Sequence, residues 1–298
     1  MSFALTGESH RLRGIAYYLL ALFLFTVLDT CAKYAARSVP AMEVVWLRFV
    51  IHAALAIVFL RPWRNLALYR SRHPVLQFLR SMGLFGSTIF NFLALTHLQM
   101  AETISISFGS AFVVAGFAGP VLGEWIGWRR WIAIVVGFIG VIVVTRPGPA
   151  GVDPAVFFSV GSMCCNSAYL LLTRLLAPSD SAGSMLLFPA IAATILLAPI
   201  AVPVIIMPPT LLVGLAIAMT GICGAVGHWL LIEAHRRAPA GVLAPFVYSA
   251  LIWMIGLGYF VFGDVPHEFT IIGAAIIVGS GLYILYRERI RGADARQA

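Results

Sequence analysis

Long apolar runs dominate the chain. Ten can be marked, over roughly residues 13–35, 43–61, 75–96, 101–121, 127–146, 154–176, 183–203, 209–235, 241–262 and 268–286. Each is close to the length of about 20 residues that a helix needs to cross a bilayer. None shows the apolar–polar alternation that marks a membrane β-strand. The pattern therefore predicts an all-α membrane protein with ten transmembrane helices. The interruptions carry residues that stop helices or meet water: Val39-Pro40, Arg61-Pro62, His73-Pro74, Arg146-Pro147-Gly148-Pro149, Pro178-Ser179-Asp180, Pro208-Pro209, Arg236-Arg237-Ala238-Pro239 and Gly263-Asp264-Val265-Pro266. No loop between runs is long enough for a soluble domain. The first run has no small-residue cleavage site behind it, so it reads as a membrane helix rather than a signal peptide.

Composition excludes whole classes. Of 298 residues, 61% are hydrophobic and 11% charged, against about 25% charged in a soluble domain. Too few charges are present to coat a water-facing surface, so a soluble enzyme, a nucleic-acid-binding module and a disordered chain are all ruled out. The formal charge of +8 does not restore nucleic acid as a partner. Such ligands need a contiguous basic patch, and here the arginines sit in short loops. They set orientation instead. With the N-terminus inside, fifteen of the 20 basic residues fall in cytoplasmic segments. Arg37 and Arg146 fall outside, and Lys33, Arg48 and Arg80 lie within spans. The positive-inside rule then places both termini in the cytoplasm, which needs an even number of spans. Cys31, Cys164, Cys165 and Cys223 lie inside apolar runs, without CxxC spacing or a suitably spaced histidine. They read as packing, and neither a metal nor a cofactor is expected. No phosphate-binding GxxxxGK[ST] loop is present, so ATP does not drive this protein.

Sliding the chain against itself by 140 places Leu122-Gly123-Glu124 on Phe262-Gly263-Asp264, Gly116 on Gly256, Val121 on Val261 and Ile132 on Ile272. With five helices in each half, the second half enters the membrane from the opposite side. The expected organisation is two inverted five-helix repeats, residues 1–149 and 150–298, a construction common in secondary transporters. These turns, with Trp46-Leu47-Arg48-Phe49 in the second span and Leu172-Thr173-Arg174 ending the sixth, resemble the EamA-type members of the drug/metabolite transporter superfamily. The resemblance covers about residues 14–286. The second turn reads Gly-Asp where the first reads Gly-Glu, which keeps the carboxylate. The resemblance implies ten helices in two inverted halves, a metabolite exporter of a bacterial inner membrane, and no catalytic residues. Within the superfamily the chain looks most like the branch that exports aromatic and other neutral amino acids.

Polar side chains inside a bilayer are costly and tend to face a bundle interior or a wet cavity. In the sixth span Ser159, Ser162, Asn166, Tyr169 and Thr173 recur at 3, 4, 3, 4 and share one helix face. That face either lines a cavity or bonds to neighbouring helices. The third span carries Arg80, Ser87 and Asn91, with Thr88 beside them. Arg80 lies roughly 9 Å in from the cytoplasmic end at 1.5 Å per residue, so it either snorkels or binds a carboxylate. Asn91 is too deep to snorkel. In the eighth span His228 follows Gly221, Gly224 and Gly227; it is a structural hydrogen-bonding group, a substrate contact or a proton site. Glu233 and His235 read as interfacial partners of Arg236 and Arg237. In the first span Asp29 and Lys33 are four apart, acid first, the favourable order for an intrahelical pair. With Glu43 and Arg48 they form an expected outer cluster. In the ninth span Tyr248, Ser249 and Trp253 follow Pro245, which weakens a helix locally; with Phe90 and Tyr169 they offer an aromatic wall. The fourth span is rich in small residues, and Gly119, Gly123 and Gly127 extend it as two GxxxG steps that suit either sliding or static packing.

The expectation is a secondary transporter, not an enzyme, that exports small amphipathic metabolites, foremost aromatic and neutral amino acids, by alternating access. Phe90, Asn91, Ser162, Asn166, Tyr169, His228, Tyr248 and Trp253 would meet substrate. Asp29, Lys33, Glu43, Arg48 and Arg80 would gate or couple. Its partners would be a small molecule and the lipid bilayer, with proton exchange and facilitated diffusion both open as energy sources. A rival substrate class, drugs or hydrophobic cations, would need an unpaired acid in the cavity. A membrane-embedded enzyme would need a nucleophile, base or metal cluster, and none is visible.

Overall fold

The computed structural model describes residues 2–64, 68, 71–123, 125, 127–145, 153–176, 179–238 and 240–294. Of the positions picked out in the sequence, Glu124, residues 146–149, Pro178 and Pro239 lie outside these. Among the described residues the structure is helical, without strands. Ten helices among the described residues are long and apolar enough to cross a membrane: α1 (Leu12–Ala35), α2 (Ala41–Leu60), α3 (Pro74–Leu95), α4 (Met100–Val121), α5 (Trp128–Thr145), α6 (Pro154–Leu176), α7 (Ala182–Val204), α8 (Leu211–Arg237), α9 (Pro245–Phe262) and α10 (Glu268–Arg287).

Local chemistry sets the ends. Arg61 adopts a left-handed conformation (φ 46°) and returns its N–H to the carbonyl of Ile57, which stops α2 just before Pro62. Pro74 opens α3 at a position where its missing N–H has no helical partner to lose. Ser181 and Thr210 cap α7 and α8 by accepting from the N–H groups of Ser184 and Val213. Gln99 and Glu102 form a reciprocal capping box at the start of α4. Two spans are less regular than their apolar runs suggest. In α4 one helix ends at Ser107 and another starts at Gly109. In α9 a 3₁₀ turn through Pro245 leads into a short α-helix, which ends in a π turn, Gly258–Phe262. The missing proline N–H and the ring behind it account for the irregular start.

Both α4 and α9 end in a glycine at positive φ, Gly123 (75°) and Gly263 (73°). A side chain is strained there, and glycine is not. The repeated turn of the sequence is thus a repeated helix terminator. The GxxxG reading of α4 stops at the same point: Gly123 is a turn, Gly127 faces open space, and Gly119 lies against the Trp125 ring. That run is not a sliding face.

Helices pair most extensively as α1–α8, α3–α6 and α5–α10, followed by α2–α7, α4–α6, α2–α8, α1–α9, α3–α7 and α4–α5, and then by α4–α9 and α4–α10. Adding five to both helix numbers, counted around the ten, exchanges α1–α8 with α3–α6, α2–α8 with α3–α7 and α4–α6 with α1–α9, and returns α5–α10, α2–α7 and α4–α9 to themselves; α4–α5 has only the much weaker α9–α10 as its counterpart. Small residues permit the closest approaches, as expected where lipid removes any hydrophobic drive between helices. A β-carbon on Gly83 of α3 would lie 3.0 Å from the backbone nitrogen of Tyr169 in α6. Gly140 of α5 and Gly273 of α10 face each other, and a β-carbon on either would come within 2.9 Å of the other's carbonyl oxygen. Large apolar side chains such as Phe59 and Phe260 stand 76% and 83% exposed, an arrangement that lipid tolerates and water does not.

Candidate functional site

Charged and polar groups collect where α1, α2, α3 and α8 meet, among the buried apolar side chains Leu28, Val45, Phe49 and Phe92. Asp29 of α1 accepts a hydrogen bond from Asn91 Nδ2 of α3 at 3.0 Å. Arg48 of α2 donates from Nη1 to Thr88 Oγ1 of α3 at 2.7 Å, and its guanidinium lies over the rings of Phe49 and Phe92. One turn further along α2, His52 stacks on His228 of α8 with ring centroids 5.7 Å apart. Phe25 of α1 meets His228 edge-on at 5.0 Å. The charges of Asp29 and Arg48 act on each other, although Arg48 belongs to none of the ion pairs drawn among the described residues.

The expected outer cluster is therefore taken apart. Lys33 does not pair with Asp29. Its ammonium reaches Asp264 Oδ2 at 2.7 Å and the carbonyl of Leu98 at 3.0 Å. An intrahelical pair contributes only about 0.2–0.5 kcal/mol. The Gly263 turn instead brings Lys33 a carboxylate beside the Leu98 carbonyl of the α3–α4 connection, and charge-assisted bonds of that kind are the stronger ones. Glu43, 1% exposed, accepts from the N–H of Ile206 at 3.1 Å rather than joining Arg48. Lys33 thus ties α1 to the α9–α10 turn, while Glu43 ties α2 to the segment after α7. A double-mutant cycle of Lys33→Met and Asp264→Asn in thermal unfolding is expected to give a coupling of about 0.5–3 kcal/mol. The same cycle with Asp29→Asn should give none, and equal coupling to Asp29 would restore the intrahelical pair.

Arg80 neither snorkels nor stands free. It is 2% exposed. It donates to Thr173 Oγ1 (2.7 Å), the Met185 carbonyl (2.9 Å) and the Tyr169 hydroxyl (3.2 Å), and its guanidinium covers the Tyr169 ring. The polar stripe of α6 is largely engaged by neighbouring helices. Ser162 donates to the carbonyl of Ser87 at 2.9 Å. Asn166 donates to Ser110 Oγ at 3.2 Å. Ser159 is buried at 1% exposure. The expected aromatic wall is dispersed: Phe90 stacks on Phe158, Tyr248 meets Phe108 edge-on, and Trp253 meets Phe23 edge-on. Tyr169 lies under Arg80. These rings point to different neighbours because they sit on different faces of three helices. At the C-terminal end of α8 Glu233 pairs with Arg236 and Arg237 as the sequence suggests, while His235 bonds to the carbonyl of Leu231.

Of the sequence candidates, Asp29, Arg48, Asn91 and His228 come together. Lys33, Glu43, Arg80, Phe90, Ser162, Asn166, Tyr169, Tyr248 and Trp253 lie in other contacts. His52 was missed. Its signal was its place four residues after Arg48, on the same face of α2.

The chain matches the model of the EamA-like transporter family over residues 12–146 and again over 153–286. It is 28% identical over 279 residues to the S-adenosylmethionine uptake transporter of Rickettsia prowazekii (strain Madrid E), covering 93% of this chain and 94% of that one. It is 28% identical over 290 residues to the riboflavin transporter of Vibrio cholerae, with the same coverage. To the pseudopaline exporter CntI of Pseudomonas aeruginosa it is 26% identical over 269 residues, covering 89% and 93%. A solved crystal structure of a protein shares the fold with a TM-score of 0.66 at 19% identity, covering 93% of this chain and 98% of the other. Ten apolar helices and a family match through most of both halves lead to one conclusion: the chain belongs to the EamA-like transporter family.

Proposed function

We propose that this membrane transporter moves small amphipathic metabolites, foremost aromatic and neutral amino acids, across a bacterial inner membrane. Both termini lie in the cytoplasm. Two inverted five-helix halves, residues 1–149 and 150–298, rock about the centre formed by α1, α2, α3 and α8. The observation that carries this reading is the group of buried Arg48, Thr88 and His52 with half-buried Asp29, Asn91 and His228 between helices that elsewhere face lipid. Such groups in a bilayer mark substrate or ion pathways. The substrate in one relative's name, S-adenosylmethionine, carries an α-amino carboxylate beside a cationic sulfonium. One relative is named for uptake and another for export, so gradients set direction here, and export follows from a cytoplasmic surplus.

Purified protein in liposomes loaded with unlabelled amino acids tests the reading. Labelled Phe and Leu are expected to accumulate by counterflow, and Lys is not. A pH gradient that shifts the plateau would establish proton exchange, while an unchanged plateau would leave facilitated diffusion. Asp29 has Asn91, not Lys33, as its bonded partner, and this favours a second reading in which a hydrophobic cation is carried. Counterflow of tetraphenylphosphonium without any of Phe or Leu would put that reading first.

A further inference from the structure

Two buried polar atoms on α2 have no hydrogen-bond partner: Arg48 Nε and His52 Nε2. Arg48 is 6% exposed and His52 3%. Leaving a buried donor unsatisfied is expensive. The two residues sit one turn apart and both turn toward Gly224 of α8. A β-carbon built on Gly224 would lie 3.6 Å from Arg48 Nε, 3.8 Å from His52 Nδ1 and 3.4 Å from Leu28 Cδ1. The glycine therefore leaves a small gap beside the guanidinium that any other residue would fill. Thr88 holds Nη1 at 2.7 Å, and the rings of Phe49 and Phe92 approach the guanidinium carbon to 5.1 and 5.6 Å. These contacts fix the guanidinium and leave its Nε edge free. Arg80, the other deep arginine, has three donors already engaged.

We infer that Arg48, His52 and Gly224 form a subsite for the carboxylate of the transported solute. One carboxylate oxygen accepts from Arg48 Nε. The other accepts from His52 Nε2 with the imidazole neutral and protonated on that nitrogen. Gly224 keeps a β-carbon away from the Arg48 Nε and His52 Nδ1 edges, and the rings of Phe49 and Phe92 flank the guanidinium. The assignment rests on the protein being a transporter with its path at this centre, but not on the carried carboxylate being an amino acid.

The test is thermal unfolding of the purified full-length protein in detergent with matched probes at constant ionic strength. 3-Phenylpropionate and phenylalanine carry the carboxylate; phenethylamine lacks it; chloride is the simple anion. The two carboxylates are expected to raise the unfolding midpoint with concentration, and phenethylamine and chloride are not. Gly224→Ala keeps ordinary van der Waals distances and should fold, yet its apparent affinity for 3-phenylpropionate should fall at least tenfold. Arg48→Gln should do the same, and if it does not fold, Gly224→Ala decides. The inference is overturned if no carboxylate stabilises the protein. It is equally overturned if phenethylamine matches phenylalanine, if chloride matches 3-phenylpropionate, or if Gly224→Ala binds with unchanged affinity. Binding of 3-phenylpropionate without any response to phenylalanine, in a protein that fails to exchange amino acids in liposomes, upholds the subsite and removes only the amino-acid reading.

Discussion

Replacing Gly273 with alanine is expected to break the α5–α10 pairing. The new β-carbon would sit 2.6 Å from the carbonyl oxygen of Gly140, 2.6 Å from Val144 Cγ2 and 2.9 Å from the Val144 nitrogen. Two of those three atoms are backbone and cannot turn aside as a flexible side chain would. Overpacking costs about 1–3 kcal/mol and sometimes more, and a clash with helix backbone belongs at the upper end. The neighbouring tie makes the damage harder to absorb, because Ser280 donates a hydrogen bond to the carbonyl of Ala133 across the same pair of helices. The control lies on the same helix. Gly279 has nothing within 4 Å of its would-be β-carbon, so Gly279→Ala should be neutral or slightly stabilising. Unfolding midpoints in detergent check both. Equal effects of the two substitutions would show that helix propensity, not close approach, governs α10.

The second large effect concerns Arg80, and its sign is less obvious. Stranding a buried charge costs about 3–5 kcal/mol, while replacing such a group with a well-packed apolar side chain is often neutral. The partners should therefore matter more than the arginine. Thr173→Val with Tyr169→Phe removes two of the three acceptors and leaves the Met185 carbonyl and the ring face. The double variant is expected to lose about 3 kcal/mol, the lower end of that range. Arg80→Met should lose less, since it takes the charge away with its partners. Chemical denaturation in mixed micelles measures both, and a larger loss in Arg80→Met would mean that the arginine ties α3, α6 and α7 together with net stabilisation. Tyr169 enters this comparison as a structural acceptor, so retention of transport in the double variant would also separate it from substrate.

The spans were legible in the sequence because a bilayer imposes length and apolarity together. Helix ends were legible wherever proline or glycine acts through its own backbone, as at Pro74 and Gly263. Side-chain partners were not. Asp29 and Lys33 look paired because sequence spacing sees only neighbours on one helix, whereas Lys33 meets Asp264, 231 positions away. The stripe on α6 is a true helix face, but the spacing could not tell that α3 and α4 cover it. The place of His52 four residues after Arg48 was legible, but its meaning was not, because Gly224 and His228 come to it from another helix.

By itself the sequence determined the solvent and the class. Its apolar runs mark ten helices long enough to cross a membrane, and its repeated glycine turn ends both α4 and α9. These are properties of single segments, and physical chemistry acts on each segment alone. The tertiary structure decided which polar groups share a site. It put Asp29, Asn91, Arg48, His52 and His228 at one junction and sent Lys33, Glu43 and Arg80 elsewhere. The reason is geometric. In a medium without water a buried polar group must find its partner on whichever helix packs nearest. Which helix that is depends on the close approaches permitted by glycines such as Gly83, Gly140 and Gly273.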